Sequence, residues 1–325
     1  MVLLSEIPGG SNGDDPNMNP QELPEELIES IVAPIPRCYY PSLSLLSRSF
    51  RHVITSQQLF VTRSGLGFKE PVLYAFIGCT PYTTPRWFIL RRSNIPLQLR
   101  RLNSLPHMFP GAAVVTIGYK IYVMGGYNYQ PVSTVIIIDC RFHTWHYLQD
   151  MQRARYHAAA GVIDGRIYVI GGRKKQDADW VEVFDVTTES WETVPTQCPN
   201  EASENGLFVT YAVMQGRIFI LDLGRVFAYE PRQGLWQSLG VICQLMRFWG
   251  SSSCVVGDLL YTLDPTCSFG HPIVVYNPNE LVWRPVFGIF MIDLPVLSFY
   301  GSKMANFGGK LVILSGYSSW WLFGA

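Results

Sequence analysis

Two histidines, His143 and His146, flank Trp145 and are the first residues whose type and spacing suggest chemistry. Imidazole nitrogens bind zinc, but a zinc site needs three or four ligands, and neither Cys140 nor a nearby acid completes such a set. The sequence also contains no nucleophile-elbow motif, no P-loop and no dinucleotide fingerprint. We therefore expect no catalytic residue, no metal ion and no cofactor, so that the chain is not an enzyme and acts by binding.

The charge balance narrows the kinds of partner. Lysine and arginine together number 25, and aspartate and glutamate also number 25. A neutral chain has no global field that would attract nucleic acid or an anionic membrane. The most apolar late segment, Val286–Tyr300, is interrupted by Asp293 and Pro295 and is shorter than a membrane span. We therefore expect neither nucleic acid nor a membrane as a partner.

Cysteine usage indicates the compartment. The seven cysteines are odd in number, and no Cys-x-x-Cys pair occurs among them. The sequence also lacks a signal peptide and an Asn-x-Ser/Thr acceptor, which are marks of secreted proteins. Unpaired cysteines are typical of a reducing compartment, and we expect the protein in the cytoplasm, the nucleus or both.

Residues that bind a partner must be positioned by regular elements, and residues 158–194 show which elements these are. Ala158–Ile163 and Ile167–Ile170 are apolar runs, and the Asp164-Gly165 pair between them is typical of a hairpin turn. After a charged loop, apolar and polar residues alternate, and Trp191–Val194 follows a polar turn. These patterns predict four antiparallel strands in one small sheet, which needs similar neighbours to bury both of its faces.

The same pattern recurs along the chain. An apolar residue lies seven positions before each of four tryptophans, and a short acid or amide follows that residue. A strand-like apolar run precedes each set, and a double glycine ends the first two runs, at Gly125-Gly126 and Gly171-Gly172. A period of about 40–50 residues with four strands per unit indicates a β-propeller. Trp145, Trp191, Trp236 and Trp283 follow one another at intervals of 45 to 47 residues, and we expect all four to be buried in equivalent positions.

With the double glycine, the Tyr-Asp-like pair and the tryptophan at this spacing, the chain resembles the kelch repeat. The resemblance implies a mainly β fold, a kelch-type β-propeller of about six units with the last one incomplete. A linker and a degenerate first unit would occupy residues 63–110, and kelch repeats residues 111–325. Either the chain is a truncated product, or strands from residues 70–100 complete the last unit. The expected repeats are 111–148, 157–194, 207–239, 250–287 and a partial unit at 300–325.

Residues 21–62 predict a small helical module, after a tail at residues 1–20 whose composition indicates disorder. Pro24 suits the first turn of a helix whose apolar residues follow at helical spacing. Two further prolines, Pro34 and Pro36, end this helix. A second helix, beginning near Pro41, is expected to carry one apolar stripe formed by Leu43, Leu46, Phe50, Val53 and Ile54.

The helical module is similar to an F-box. Leu23-Pro24 lies at its start, Ile35-Pro36-Arg37 at the break, and Leu-Ser-x-Ser-Phe-Arg within Leu43–Arg51 on the second helix. An F-box followed by kelch repeats resembles the plant F-box/kelch-repeat family. This resemblance implies a substrate-recognition subunit of an SCF-type (cullin-RING) E3 ubiquitin ligase, whose F-box binds a Skp-type adaptor and whose propeller binds a target protein. The implied adaptor-binding residues are Leu23, Pro24, Leu27, Ile28, Ile31, Leu43, Leu46 and Phe50.

A second function stays open on the residues alone. The propeller could bind a small ligand or be an enzyme that is not linked to ubiquitination, with a helical hairpin that merely packs beside it. Binding to a Skp-type adaptor distinguishes this function from that of a ligase subunit.

In kelch propellers, the loops after the second strand and those between units line one face, which implies where a target binds. Here these loops carry arginine, lysine and aromatic side chains, and aromatic and arginine side chains dominate recognition energy. The acids nearby are few, chiefly Asp177 and Asp179, so we expect a basic face that selects an acidic or phosphorylated segment. The expected target-binding residues are Tyr127, Tyr129, Arg153, Arg155, Arg173, Lys174, Lys175, Arg247, Phe248, Trp249 and His271.

Overall fold

The chain divides into a helical unit, Met1–Lys69, and a β unit, Glu70–Ala325. None of the described helices has the length and apolarity needed to cross a membrane. The tail predicted at residues 1–20 and most of the apolar segment Val286–Tyr300 lie outside the described part of the chain. In this computed structural model the described residues are 23–78, 84–91, 99–177, 179–240, 243–287, 302–314 and 320–323.

The second helix of the helical unit is divided, and the prediction of one continuous helix from Pro41 was wrong. The physical reason is Ser47, whose Oγ accepts the backbone N–H of Phe50 at 3.2 Å and so begins a new helix. Ser56 caps the next helix in the same way, accepting from the N–H of Leu59. The helices are α1 (Glu25–Val32), a 3-10 helix (Arg37–Tyr39), α2 (Tyr40–Leu43), α3 (Arg48–Thr55) and α4 (Gln57–Gly65).

A buried arginine binds the backbone carbonyls that follow the end of α1. Arg63 on α4 is 4% exposed, and its Nη1 donates to the carbonyls of Ala33 and Ile35, each at 2.6 Å. Ala33 is the C-cap of α1 and Ile35 follows it, so neither carbonyl accepts a hydrogen bond within the helix. The same nitrogen donates to the hydroxyl of Tyr40 at 2.9 Å. The core of the helical unit consists of Ile28, Val32, Ala33, Tyr40, Val53 and Leu59.

The described residues of the β unit form six small antiparallel sheets in chain order and one short hairpin. The first sheet contains β1 (Val72–Ile77), β2 (Arg86–Arg91) and β3 (Leu99–Leu102). The second contains β4 (Ala113–Ile117), β5 (Lys120–Met124), β8 (Val135–Asp139) and β9 (Thr144–Tyr147), with the hairpin β6 (Tyr127–Asn128) and β7 (Gln130–Pro131) between β5 and β8.

The remaining four sheets follow the same order. The third contains β10 (Ala159–Ile163), β11 (Arg166–Ile170), β12 (Val181–Asp185) and β13 (Ser190–Val194). The fourth contains β14 (Thr210–Met214), β15 (Arg217–Asp222), β16 (Arg225–Glu230) and β17 (Leu235–Gly240). The fifth contains β18 (Ser253–Val256), β19 (Leu259–Leu263), β20 (Ile273–Asn277) and β21 (Val282–Pro285). The last contains β22 (Lys303–Phe307), β23 (Lys310–Leu314) and β24 (Trp320–Phe323).

Each sheet shares a hydrophobic core with the next, and this arrangement confirms the β-propeller. Ile167 and Phe184 of the third sheet pack with Tyr122 of the second, for example. Between the last sheet and the first, Phe307, Val312 and Leu314 of the last sheet pack with Ala75 of the first. Strands β1 to β3 thus form a sheet of their own, and they add no strand to the last sheet in the described residues. Completion of the last unit by residues 70–100 is therefore not observed.

The double glycines allow the chain to approach a neighbouring loop closely. A Cβ atom on Gly125 would lie 2.4 Å from the carbonyl oxygen of Arg155, a distance that side chains do not tolerate. Its backbone has a φ of +67°, which favours glycine in any case. The N–H of Gly126 donates to the same carbonyl at 2.8 Å. The glycine pair therefore joins the second sheet to the loop that leads into the third.

The four repeat tryptophans are equivalent in register. Each occupies the second position of the outer strand of its sheet and faces the residue seven positions earlier, as predicted. Each indole N–H donates to an oxygen of the segment that enters the sheet, at 2.7 to 3.0 Å. Trp191 and Trp283 are buried, but Trp145 is 36% exposed and Trp236 is half-buried. The expected burial is therefore confirmed for Trp191 and Trp283 and wrong for Trp145, because the outer strand β9 is exposed along its whole length. Trp236 is only partly packed against the core between the third and fourth sheets.

Candidate functional site

Helix α1 carries two apolar stripes that face in different directions. Ile28 and Val32 are 1% and 0% exposed and lie in the core of the helical unit. Leu23, Leu27 and Ile31 recur at every fourth position and are 46%, 47% and 44% exposed. Leu27 and Ile31 are four apart and so form a strip on one side of α1, and Leu23, just before the N-cap Pro24, adds a third exposed apolar residue to this strip. An exposed strip of large apolar side chains is typical of a protein-binding surface.

The predicted adaptor-binding residues divide between this surface and the core. Leu46 is 64% exposed, and Pro24 is also exposed. Ile28 is fully buried, and Leu43 and Phe50 pack against the core. These three residues therefore stabilise the helices that present the exposed residues. The exposed apolar residues outside the predicted set include Leu45 at 78% and Tyr39 at 46%, which lie in the segment between α1 and α3. Neither was selected from the sequence, because neither lies on the apolar stripe of the continuous helix that was predicted.

Most of the basic residues predicted for target binding already have an acidic partner within the β unit. Each acid lies within 4 Å of its basic partner and offsets its positive charge. The attraction that these basic residues could exert on an acidic target is weakened accordingly. The predicted basic face is therefore largely compensated. The pairs are Arg153 with Asp179 (3.0 Å), Arg155 with Glu182 (2.8 Å), Arg173 with Asp177 (3.1 Å) and Lys175 with Glu204 (3.9 Å).

Two residues predicted for target binding lie in the interior, and the structure corrects their assignment. Arg155 is 1% exposed, and its guanidinium donates to the carboxylate of Glu182 and to the backbone carbonyls of Gly171 and Trp180. Burial lowers the pKa of Arg155, although the Glu182 carboxylate opposes this change. Trp249 is 4% exposed and lies in the core between the fourth and fifth sheets. Both side chains stabilise the propeller and are not accessible to a target.

Two predicted tyrosines and one lysine remain accessible. Tyr129 is 95% exposed at the tip of the β6–β7 hairpin, where its φ is +58°. Tyr127 is 46% exposed, and its ring lies 5.3 Å from that of Tyr156. Lys174 is exposed, and among the described residues no ion pair involves it.

Three other predicted residues, Arg247, Phe248 and Trp249, line a cavity of about 400 Å³ beside the 3-10 helix Gln244–Arg247. Arg247 is exposed, and its guanidinium carbon lies 5.0 Å from the centre of the Phe248 ring. The ring of Phe269 has its centre 5.4 Å from that of Phe248, and Phe269 is 37% exposed. His271 packs on Phe287 at 5.3 Å. The cavity is lined by Met246, Arg247, Phe248, Trp249, Leu263, Asp264, Pro265, Thr266 and Ser268.

The histidines that suggested metal chemistry have other surroundings. The Nδ1 atom of His143 lies 2.7 Å from the hydroxyl of Tyr74 and shares a hydrogen bond with it. His146 lies on the exposed outer strand β9. Within the described residues, no three side chains of histidine, cysteine, aspartate or glutamate are grouped so that they could hold a metal ion.

Comparison with known protein families assigns a model to each unit. The model described as an F-box domain matches residues 20–62. The model described as "FKB95, Kelch-repeats domain" matches residues 87–321, which is more than half of the chain.

Several curated proteins of Arabidopsis thaliana are similar to this chain over two thirds of its length or more. F-box/kelch-repeat protein At2g29830 is 68% identical over 97% of this chain and 86% of its own length. Putative F-box/kelch-repeat protein At2g29860 is 99% identical over 67% of this chain and 91% of its own length. Kelch repeat-containing protein At1g19460 is 42% identical over 98% of this chain and 87% of its own length.

Proposed function

The chain belongs to the F-box/kelch-repeat family, and from this premise we propose that it is the substrate-recognition subunit of an SCF-type (cullin-RING) E3 ubiquitin ligase. The helical unit binds a Skp-type adaptor, and the propeller binds the protein to be ubiquitinated. The chain has no catalytic residue of its own in this proposal, because the ubiquitin-transfer chemistry belongs to its partners. It acts in the cytoplasm, the nucleus or both, and the six described cysteines are all free, as a reducing compartment favours.

The observation that carries the proposal is the exposed strip of α1. Leu23, Leu27 and Ile31 leave nearly half of each side chain in water, while Ile28 and Val32 on the same helix are buried. A domain this small cannot enclose all its apolar residues, and those left outside favour a permanent partner. Leu45 and Leu46, in the turn before α3, add further exposed apolar surface. This distribution supports adaptor binding better than a helical hairpin that merely packs on the propeller.

The test is capture of a purified Skp-type adaptor by the full chain. Replacing Leu27→Asp and Ile31→Asp together places two carboxylates in the apolar strip and leaves the buried residues untouched. We expect adaptor affinity to fall at least about 100-fold, since truncating a central interface residue alone costs about 2 kcal/mol or more. The exchange Pro24→Ala with Leu46→Ala is expected to abolish capture as well.

The matched control is Val61→Asp on α4, which introduces the same charge at a position that is 60% exposed and was not assigned to the adaptor. It should leave adaptor binding unchanged. All variants should keep the unfolding temperature of the wild type, because none of these side chains is buried. Undiminished binding of the Leu27→Asp, Ile31→Asp chain would reject the assignment of the helical unit as an adaptor-binding module.

A further inference from the structure

Arg247 differs from most of the basic residues predicted for target binding. Arg153, Arg155, Arg173 and Lys175 each have an acidic partner, whereas Arg247 takes part in no ion pair among the residues that the structure describes. A guanidinium presents a planar fork of N–H donors that matches a carboxylate or a phosphate. Because no described acid pairs with Arg247, these donors can bind an anionic group from outside.

The Phe248 ring beneath Arg247 is held on two sides. It packs edge-on against Trp283 at 5.6 Å and tilted against Phe269 at 5.4 Å. Trp283 is itself fixed, because its indole N–H donates to the carbonyl of Gln244 at 2.7 Å. The cation–π contact with this fixed ring favours one placement of the Arg247 guanidinium, and the residue remains exposed. Arg247 is therefore preorganised, which lowers the entropy lost when a partner binds.

Asp264 is the acid that lines the same cavity, and its carboxylate is engaged within its own loop. It is 3% exposed and accepts from the N–H of Thr266 (3.0 Å), the hydroxyl of Thr266 (2.6 Å) and the N–H of Ser268 (2.7 Å). Burial alone would raise the pKa of Asp264, but these hydrogen bonds outweigh it and hold the pKa below its ordinary value. The carboxylate is thus ionised and stabilises the loop without pairing with Arg247.

The cavity beside Arg247 has mixed walls, in which the polar residues Asp264, Thr266 and Ser268 lie beside apolar ones. Met246, Phe248, Leu263 and Pro265 contribute to its lining, and its volume of about 400 Å³ suits one or two side chains better than a whole folded segment. A cavity with an apolar part and one arginine at its edge can hold an apolar anchor side chain while the charged group fixes its orientation, as in an interface hot spot.

We infer that Arg247 and this cavity form the subsite that selects the target: an anionic side chain pairs with Arg247, and a neighbouring apolar side chain enters the cavity. The inference rests on the proposed function, because it names the part of the propeller that recognises the protein to be ubiquitinated. The anion can be a carboxylate or a phosphorylated hydroxyl, which offer the same oxygen acceptors to a guanidinium.

The test uses the full chain purified with a Skp-type adaptor and an array of short peptides as probes. Every peptide carries one central Leu, Met or Phe, and three series place Glu, phosphoserine or Gln two positions away. We expect the strongest retention in one or both anionic series, and about tenfold weaker retention in the Gln series, since a charge-assisted hydrogen bond contributes 1.5–3 kcal/mol. The anionic series that is retained identifies the source of the charge.

Arg247→Gln should remove the preference for anionic peptides, and Arg247→Lys should restore only part of it, because a lysine lacks the planar fork. Arg86→Gln is the matched control, because Arg86 is an exposed arginine on β2 outside the predicted target-binding set, and this change should leave the preference intact. Equal retention of all three series, or an unchanged preference in Arg247→Gln, would overturn the inference. Adaptor retention is measured on the same samples and tests the proposed function separately. Loss of the peptide preference and loss of adaptor binding can thus be told apart.

Discussion

Arg155 and Glu182 hold opposite charges in the interior of the propeller, where an unpaired ion costs several kcal/mol. The Glu182 carboxylate accepts from Arg155 and from the N–H of Gln152 at 2.7 Å. Arg155 in turn donates to the carbonyls of Gly171 and Trp180, which belong to the third sheet and its loop. The pair thus satisfies acceptors that no water reaches, and it joins the loop before the third sheet to strand β12.

Removing one member of the pair should be far more harmful than removing both charges. We expect Arg155→Met to lower the free energy of unfolding by about 3–5 kcal/mol, because Glu182 is left buried and uncompensated. Adding Glu182→Gln to that variant should recover part of the loss. Urea unfolding of the wild type, the single variants and the double variant measures this coupling.

The control for this prediction is Arg153→Met. Arg153 also pairs with an acid, Asp179, but its side chain is 52% exposed. Its loss should cost less than about 1 kcal/mol, as exposed ion pairs do. If the Arg153 and Arg155 variants were equally stable, the buried pair would not have the structural role described here.

At the scale of elements, the repeat tryptophans connect each sheet to the segment that enters it. Trp191 is 6% exposed, and its N–H donates to the carbonyl of Gln149 at 2.9 Å. Trp145 makes the equivalent bond to Ser104 at 3.0 Å but is 36% exposed. We expect Trp191→Phe to lower the free energy of unfolding by about 1–3 kcal/mol and Trp145→Phe by less than about 1 kcal/mol.

Thermal or urea unfolding of the two phenylalanine variants checks this difference. The same hydrogen bond is lost in both, so the difference isolates the contribution of burial. Similar losses would indicate that the bond to the entering segment, and not packing between sheets, gives these tryptophans their role.

Most of the fold could be predicted because the pattern that encodes it is local. Asp164 and Gly165 have the positive φ angles, 50° and 75°, that a tight hairpin between β10 and β11 requires. The tryptophan period likewise predicted the register of four outer strands. The break at Ser47 was not predicted, because the apolar spacing of one helix continues across this position in the sequence. Only the hydroxyl of Ser47, which caps a new helix, marks the break.

The candidate site was predictable in its residue types but not in their surroundings. Arg155 and Arg153 are two positions apart and look alike in the sequence, yet one is buried and the other exposed. Their acidic partners lie 27 and 26 positions away on another strand or loop, and only the packing of the sheets brings them together. A basic run in the sequence therefore overstated the charge that the surface presents.

At the scale of the whole molecule, a substrate receptor must bind adaptor and target at once. A substitution that removes one of these two bindings should leave the other intact. Arg247 and the strip of α1 belong to different units, so a change in one leaves the chemistry of the other intact. The proposed function requires both bindings, because ubiquitin is transferred only to a target that is linked through the adaptor to the ligase.

A full chain carrying Leu27→Asp and Ile31→Asp should therefore capture the same proteins as the wild type while failing to promote their ubiquitination. In plant cells its captured targets should have longer half-lives than in cells that express the wild-type chain, since the variant occupies targets without linking them to a ligase. Affinity capture with quantitative proteomics identifies the set, and a cycloheximide chase measures the half-lives. Adding Arg247→Gln should release the targets and return their half-lives to those of cells without the variant. Unchanged half-lives in the presence of the adaptor-deficient chain would contradict a role in target degradation, whatever the propeller binds.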